Sequence, residues 1–302
     1  MVLKTENKLL ISHLYLEESL KNDVLVYLNI SFTKPTIRSL NRLIHAYIRK
    51  VPWESVSRIV KRHTTPETID CPRWPEEFWK EAIRNSYGGT CYESSLAFYS
   101  LLKSLGFEGY LTVNDMGTSR GCHAAIVILI EGKKYLVDIT IPLHCAVQIN
   151  PQKITSIQTL LYNYTIKPVQ KNIYEVDRYP HPQRYAFTLI DVPVSLQEYQ
   201  TVVEDDYGET GRFLKSVVMV KVIGEKTWRF FSDYKPYRLE SFNREGKSEI
   251  FVEPENLAYK LSELFLIPED QISKAFSLIE EPLPQETAQS FSFPRVLERV
   301  AQ

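Results

Sequence analysis

The chain has little of what would place it in a specialised class. Its four cysteines, at 71, 91, 122 and 145, are too few to make a disulfide framework in 302 residues. No C-x-x-C occurs and no histidine pair has zinc-ligand spacing, so a structural metal site is not expected. Cys71, Cys122 and Cys145 read as small packed hydrophobes. No apolar run approaches the length of a membrane span. The start, Met1 to Glu6, is charged and lacks the apolar stretch of a signal peptide. A cytoplasmic protein is therefore expected. Net charge is −1, and no basic run is interleaved with aromatics. Neither feature favours nucleic acid or another polyanion as partner. There is no internal repeat and no low-complexity segment.

What is present fits a soluble globular protein, with 44% hydrophobic and 24% charged residues. The length allows two or three domains. The first part reads as helical. Leu14, Leu16, Leu20, Val24 and Leu28 mark one helix within Ser12–Leu28. Ile37, Leu40, Ile44 and Tyr47 mark a second, with Pro35 near its first turn. Val51-Pro52-Trp53-Glu54 breaks it. A Pro- and Trp-containing loop follows, with Trp74 and Trp79 expected to pack it onto the bundle. A helix over Glu76–Arg84 is expected to stop at Gly88-Gly89. Glu93–Leu105 reads as an amphipathic helix stopped by Gly106. Beyond it the pattern turns to strands: Gly109–Asn114, Cys122–Ile130, Lys134–Ile141, Tyr185–Leu189, Leu214–Ile223, Thr227–Phe231 and Tyr237–Phe242. Glu255–Leu264 and Pro268–Ile279 return to helix. The last residues, with Pro282, Pro284 and Pro294, read as a tail.

The chemistry concentrates in three residues. Cys91 follows Gly88-Gly89-Thr90 and opens a helical pattern. A thiol is nucleophilic only as thiolate, and the free amides at a helix start stabilise that anion. The same amides can hold an oxyanion. His123 and Asp138 follow on adjacent strands, an order that suits a nucleophile, its base and the base's orienter. The intervening hairpin tests this. A two-residue turn at Glu131-Gly132 sets Ala125 opposite Asp138 and His123 opposite Thr140. His123 and Asp138 then share a face, diagonally offset by roughly 7–8 Å between backbones. A three-residue turn would put them on opposite faces.

These residues resemble the arylamine N-acetyltransferases. Pro35-Thr36-Ile37-Arg38-Ser39-Leu40 and Val51-Pro52-Trp53-Glu54 are similar to that family's N-terminal pattern, which carries Pro-Phe-Glu-Asn. Tyr87-Gly88-Gly89-Thr90-Cys91-Tyr92-Glu93 matches Arg-Gly-Gly-x-Cys-x-Glu except at its first position. His123-Ala124-Ala125 and Tyr135-Leu136-Val137-Asp138 match the histidine strand and Tyr-Leu-Val-Asp. Leu105-Gly106-Phe107 also fits, and a weaker match runs from Glu198-Tyr199 through Phe213 to Lys226. The resemblance covers residues 10–245 or so and implies a divergent member.

It implies an α+β fold in three parts around a transglutaminase-like cysteine-triad core: a helical bundle over 1–106, a β-barrel-like domain over 107–200, and an α/β lid with tail over 201–302. It also implies ping-pong transfer of an acyl group, acetyl in the family, from coenzyme A through a cysteine thioester to an amine or hydrazine. Acyl-CoA is then a co-substrate and no metal takes part. Carried over by position, Cys91 is the nucleophile, His123 the base and Asp138 the orienter, with Ile141 and Phe213 at the acceptor. Two departures stand out. Tyr87 replaces the arginine that in relatives pairs with the glutamate, here Glu54, so Glu54 must find another partner or be solvated. Thr140-Ile141-Pro142 lacks the family's glycines and its pocket phenylalanine, which points away from a flat arylamine acceptor. The alternatives are an amide synthase or transglutaminase-like amidase with the same triad, or an inactive binding relative. His144, beside Cys145 after the Asp138 strand, is a less favoured candidate base. His13, His45, His63 and His181 read as surface or loop residues, and Glu204-Asp205-Asp206 as a solvated loop.

Overall fold

The computed structural model describes residues 14–141, 143–181 and 183–284. The expected tail beyond Pro284, with Pro294, lies outside them, as do His13 and Pro142. Helix α1 is Glu18–Tyr27 and α2 is Ile37–Lys50. Pro35 sits one residue before the cap of α2. Thr36 accepts from the Ser39 amide at 3.2 Å, and Ser39 Oγ accepts from the Thr36 amide at 2.9 Å. That reciprocal pair satisfies two orphan donors at the helix start.

The break after α2 is a short strand, β1 (Trp53–Glu54), followed by α3 (Val56–Thr64). Helix α4 is Pro75–Asn85 and α5 is Cys91–Ser104. The expected stop at Gly88-Gly89 is instead Ser86, which takes the left-handed conformation with φ 57°. The two glycines answer a different demand, close approach. A Cβ on Gly88 would lie 1.6 Å from the Pro52 carbonyl oxygen, and one on Gly89 would crowd Arg73, Glu93 and Phe78 at 3.0–3.1 Å. Trp53 bridges Gly89 in parallel, and the Glu54 amide donates to the Gly89 carbonyl. Helix α5 is not amphipathic either. Every residue from Cys91 to Leu102 is buried, as in a helix enclosed on all sides.

An eight-stranded antiparallel sheet follows, in the order β5-β4-β3-β2-β9-β8-β7-β6. Its strands are β2 (Glu108–Met116), β3 (Ser119–Ile130), β4 (Lys133–Val137), β5 (Val147–Ile149), β6 (Thr155–Gln158), β7 (Asn163–Gln170), β8 (Ile173–Tyr179) and β9 (Tyr185–Ile190). Edge strands β5 and β6 lie beside each other, giving a barrel-like form. Glu131 and Gly132 form the two-residue β3–β4 turn with φ 50° and 71°, the sign a tight right-twisted hairpin requires. The register pairs Ile126 with Val137 and Ile130 with Lys133, as that turn dictates. Helix α6 (Leu196–Asp205) leads to a second sheet of order β1-β10-β11-β12-β13. Its later strands are β10 (Val218–Ile223), β11 (Lys226–Phe231), β12 (Arg238–Asn243) and β13 (Gly246–Phe251), and α7 (Leu257–Phe265) and α8 (Glu269–Leu278) follow. One apolar core joins α1, α2, α4 and α5 to the barrel. A second joins α3, the second sheet, α7 and α8. No helix among the described residues is long and apolar enough to cross a membrane.

Buried polar contacts lock α5 in place. Glu93 Oε1 accepts from the Arg73 amide at 2.9 Å and from Tyr207 Oη at 2.6 Å, and Oε2 pairs with the Arg73 guanidinium at 2.8 Å. Burial raises the Glu93 pKa, but the Arg73 charge and hydrogen bond, helped by Arg58, bring it below the ordinary value. Tyr199 donates to the Tyr92 carbonyl at 2.8 Å, Tyr92 donates to the Gly121 carbonyl, and Ser95 donates to the Ala124 carbonyl at 3.2 Å. Asp206 does not lie in solvent as expected. It pairs with buried Arg58 at 2.8 Å.

Arg73→Met would leave the Glu93 carboxylate buried without its cation, and stability to urea is expected to fall by about 3–5 kcal/mol. Adding Glu93→Gln should recover part of the loss, and a single variant as stable as the parent would show that the pair is dispensable. Gly88→Ala is expected to push Pro52 off the loop before α5 and to slow alkylation of Cys91, read by mass spectrometry after a timed pulse.

Candidate active site

Cys91 is the first residue of α5, after the cap residue Thr90. No side chain caps this end. The first-turn amides therefore face the sulfur's end of the helix without a side-chain acceptor, an arrangement that favours an anion there. Cys91 Sγ lies 3.7 Å from the Cys122 carbonyl oxygen, next to His123 on β3. The cysteine is 8% exposed, the histidine 3% and Asp138 1%, so water is largely kept from all three.

A register irregularity between Asn114 and Met116 on β2 falls where Asn114 pairs with His123. Such a bulge re-aims side chains beside it. Asn114 Oδ1 accepts from the Ile190 amide at 2.9 Å, tying β2 to the end of β9. Phe187 of β9 sets its ring 4.5 Å from the His123 ring. His123 Nε2 meets Asp138 Oδ2 at 2.7 Å. The other carboxylate oxygen, Oδ1, accepts from the Thr140 amide at 2.9 Å, the Thr140 hydroxyl at 2.8 Å and the Ile141 amide at 2.9 Å. Burial alone would lower the His123 pKa, but the Asp138 carboxylate, its hydrogen bond and the Cys91 side chain push it up to about 10. Burial acts to raise the Asp138 pKa, but His123 and the loop amides bring it below the ordinary carboxyl value.

Cys91, His123 and Asp138 thus converge from α5, β3 and the residue after β4. The departure at Thr140 has a local effect. Its hydroxyl gives Asp138 a bond that a glycine cannot. Ile141 serves Asp138 through its amide, while its side chain is buried in the main core. Phe213 lies in the loop before β10 with φ 58°, and the strand expected from Leu214 begins only at Val218. Its ring meets Trp53 edge-on at 4.9 Å, beside Gly89. His144 does not reach the triad and packs against His45 at 5.7 Å. Trp79 is fully buried and donates to the Ala97 carbonyl at 2.9 Å.

Glu54 has found its replacement partners. Its carboxylate accepts from the Ser57 amide at 3.0 Å, the Ser57 hydroxyl and the Gly88 amide at 3.1 Å. Burial holds its pKa above the ordinary value despite the field of Arg73. Arg73, Tyr207, Phe187 and Asn114 were not singled out from the sequence. Arg73 lies 20 residues before Glu93 in an irregular loop, and no periodicity links the two.

Residues 36–226 match the N-acetyltransferase family, more than half of the chain. An uncharacterized acetyltransferase of Bacillus subtilis is 29% identical over 99 residues, 30% of this chain and 39% of that protein. A probable arylamine N-acetyltransferase 2 of Dictyostelium discoideum is 27% identical over 105 residues, 32% of this chain and 35% of that one. These matches span well under half of the curated relatives' own lengths. Among solved structures, the arylamine N-acetyltransferase of Mycobacterium marinum in complex with CoA superposes with a TM-score of 0.69 at 16% identity, covering 85% of this chain and 95% of that one. An arylamine N-acetyltransferase of Bacillus cereus, described as having a Cys-His-Glu catalytic triad, gives 0.64 at 19% identity, covering 83% and 99%. The matched span, the ordered motifs and the shared fold lead to one conclusion: the chain belongs to the arylamine N-acetyltransferase family.

Proposed function

We propose that the protein transfers an acyl group, acetyl in the first instance, from coenzyme A to an amine or hydrazine through a thioester on Cys91. The observation that carries this reading is the 2.7 Å contact of His123 with Asp138 beside a cysteine at an uncapped helix start. Family membership and the CoA-bound relative support the donor. The Cys-His-Glu relative supports an acid behind the histidine.

The chemistry runs in two halves. The Cys91 thiolate, stabilised by imidazolium, attacks the thioester carbonyl. The amides opening α5 receive the oxyanion. The C–S bond to coenzyme A breaks, and the His123 proton goes to the departing thiolate. In the second half neutral His123 takes a proton from the amine as its nitrogen attacks the acyl-Cys91 carbonyl. Collapse forms the amide and returns the Cys91 thiolate beside imidazolium. Asp138 stays ionised throughout and fixes the ring's orientation.

Iodoacetamide should alkylate Cys91 first among the described cysteines, read by mass spectrometry after a timed pulse. Equal labelling of all four cysteines would overturn the assignment of Cys91 as nucleophile. Cys71 and Cys145, whose thiols burial pushes up to about 11, should label far more slowly.

Asp138→Asn is expected to cut turnover roughly 10⁴-fold with circular dichroism unchanged. The sign for stability also follows. The raised His123 pKa stabilises the fold below its unfolded value and loses that effect as pH rises through about 10. The lowered Asp138 pKa stabilises above its unfolded value and loses that effect as pH falls. The stability gap between parent and Asp138→Asn in urea should therefore be widest in the mildly acidic window between the unfolded carboxyl value of about 4 and the unfolded imidazole value of about 6.5, and should narrow on either side.

Incubation with acetyl-CoA without acceptor should add one acetyl mass to the intact chain, on Cys91, and addition of an amine should remove it. Absence of a thioester with every acyl-CoA tried, together with hydrolysis of peptide amides, would replace this reading with an amidase.

A further inference from the structure

An open groove of about 770 Å³ lies along α2, bounded by residues 28–30 after α1 and by His144. Its floor is apolar, with Leu28, Ile37 and Ala46, and its walls carry Arg38, Arg42, Arg49 and Lys50. No acidic residue lines it among the described residues. Arg38, Arg42 and Arg49 recur at spacings of four and seven, so they share one helix face. Arg49 is engaged, with Nη1 3.0 Å from His45 Nδ1 and Nη2 donating to the Gly224 carbonyl at 3.3 Å. Arg38 and Arg42 are exposed and make no ion pair among the described residues.

A second observation is independent of the charges. His144 is only 7% exposed, and its Nε2 is buried without a hydrogen-bond partner. Buried polar atoms are nearly always paired, so an orphan at the wall of a groove calls for a ligand. Burial, with the charge of Arg49 and the nearby His45, lowers the His144 pKa to about 4, so the ring is neutral and ready to exchange one hydrogen bond. The groove is separate from the triad, though the two are joined by backbone. Asn41 of α2 accepts from the Ala146 amide at 2.8 Å, and the Leu143 amide donates to the Asp138 carbonyl at 3.0 Å.

We propose that this groove binds an organic anion bearing a phosphate group. Guanidinium forks match phosphate oxygens bidentately. The apolar floor takes the organic body, and the volume suits a small ligand. The phosphate can come from a free metabolite or from the acyl donor itself, and only the second source rests on the acyl-transfer reading.

The test titrates the full chain with phenyl phosphate, followed by calorimetry and by histidine NMR. Saturable binding of one molecule per chain is expected, tighter than for inorganic phosphate, with a shift of the His144 signals. The exposed double variant Arg38→Glu/Arg42→Glu should weaken binding at least tenfold, and His144→Phe should weaken it without changing the circular dichroism. Cys91 alkylation should stay unchanged in both variants. Competition by desulfo-coenzyme A would assign the groove to the donor's phosphates, and its absence would assign it to a free organic phosphate. The proposal is overturned if phenyl phosphate fails to bind, binds no tighter than inorganic phosphate, or binds the double variant equally well.

Discussion

The Glu93 carboxylate is the constraint on which the site depends. It sits two residues after Cys91, in the first turn of a helix enclosed on every side. An ionised carboxylate so deep is tolerable only if fully paired. Arg73 supplies an amide and a guanidinium, and Tyr207 supplies a hydroxyl. These contacts reach α5 from a loop on one side and from the segment after α6 on the other. They fix the rotation of α5, and with it where the Cys91 sulfur points. The same Arg73 donates to the Gly88 carbonyl at 2.8 Å, so the loop entering the helix is held by the group that holds its first turn.

The barrel sets the other half by geometry rather than by charge. A two-residue turn at Glu131-Gly132 determines which side chains of β3 and β4 share a face. The irregularity on β2 beside His123 and the Phe187 ring then limit where the imidazole can lie. The pairing ladder ends at Val137, which frees Asp138 to close a turn on itself. One carboxylate oxygen is consumed by Thr140 and Ile141, and the other is left for His123. That division of labour orients the acid without help from a distant residue.

The two departures from the family pattern have different physical consequences. Losing the arginine at Tyr87 does not strand Glu54, because Ser57 and Gly88 supply three donors. Arg73 lies close enough to be felt but binds Glu93, so the two buried carboxyls shift in opposite directions. Replacing glycine by Thr140 adds a hydroxyl bond to Asp138. Local charge also diverges from the whole-chain balance. A net charge of −1 gave no sign of the row of cations along α2, because carboxylates elsewhere cancel it in the sum.

Local patterns determined much. The apolar periodicity of α2, the helix start at Cys91 and the hairpin parity at Glu131-Gly132 are short-range, so they stand in the sequence and place the triad residues in order. The motifs also carried the family. Tertiary structure decided what depends on distant neighbours. Strands β5 and β6 are only three and four residues long and the far end of β7 is exposed, and β5 to β8 hold together through pairing that no local period announces. Helix α5 looked one-sided because its serines are polar, yet Ser94 and Ser95 are buried on backbone carbonyls. Gly88 was legible as a turn residue but is required by the Pro52 carbonyl, which lies 36 residues earlier in the chain. The partners of Glu93, Glu54 and Asp206 belong to the same class. A buried charge has to be paired, and the sequence states that need, but the partner is chosen by which segments the folded chain brings within hydrogen-bonding distance.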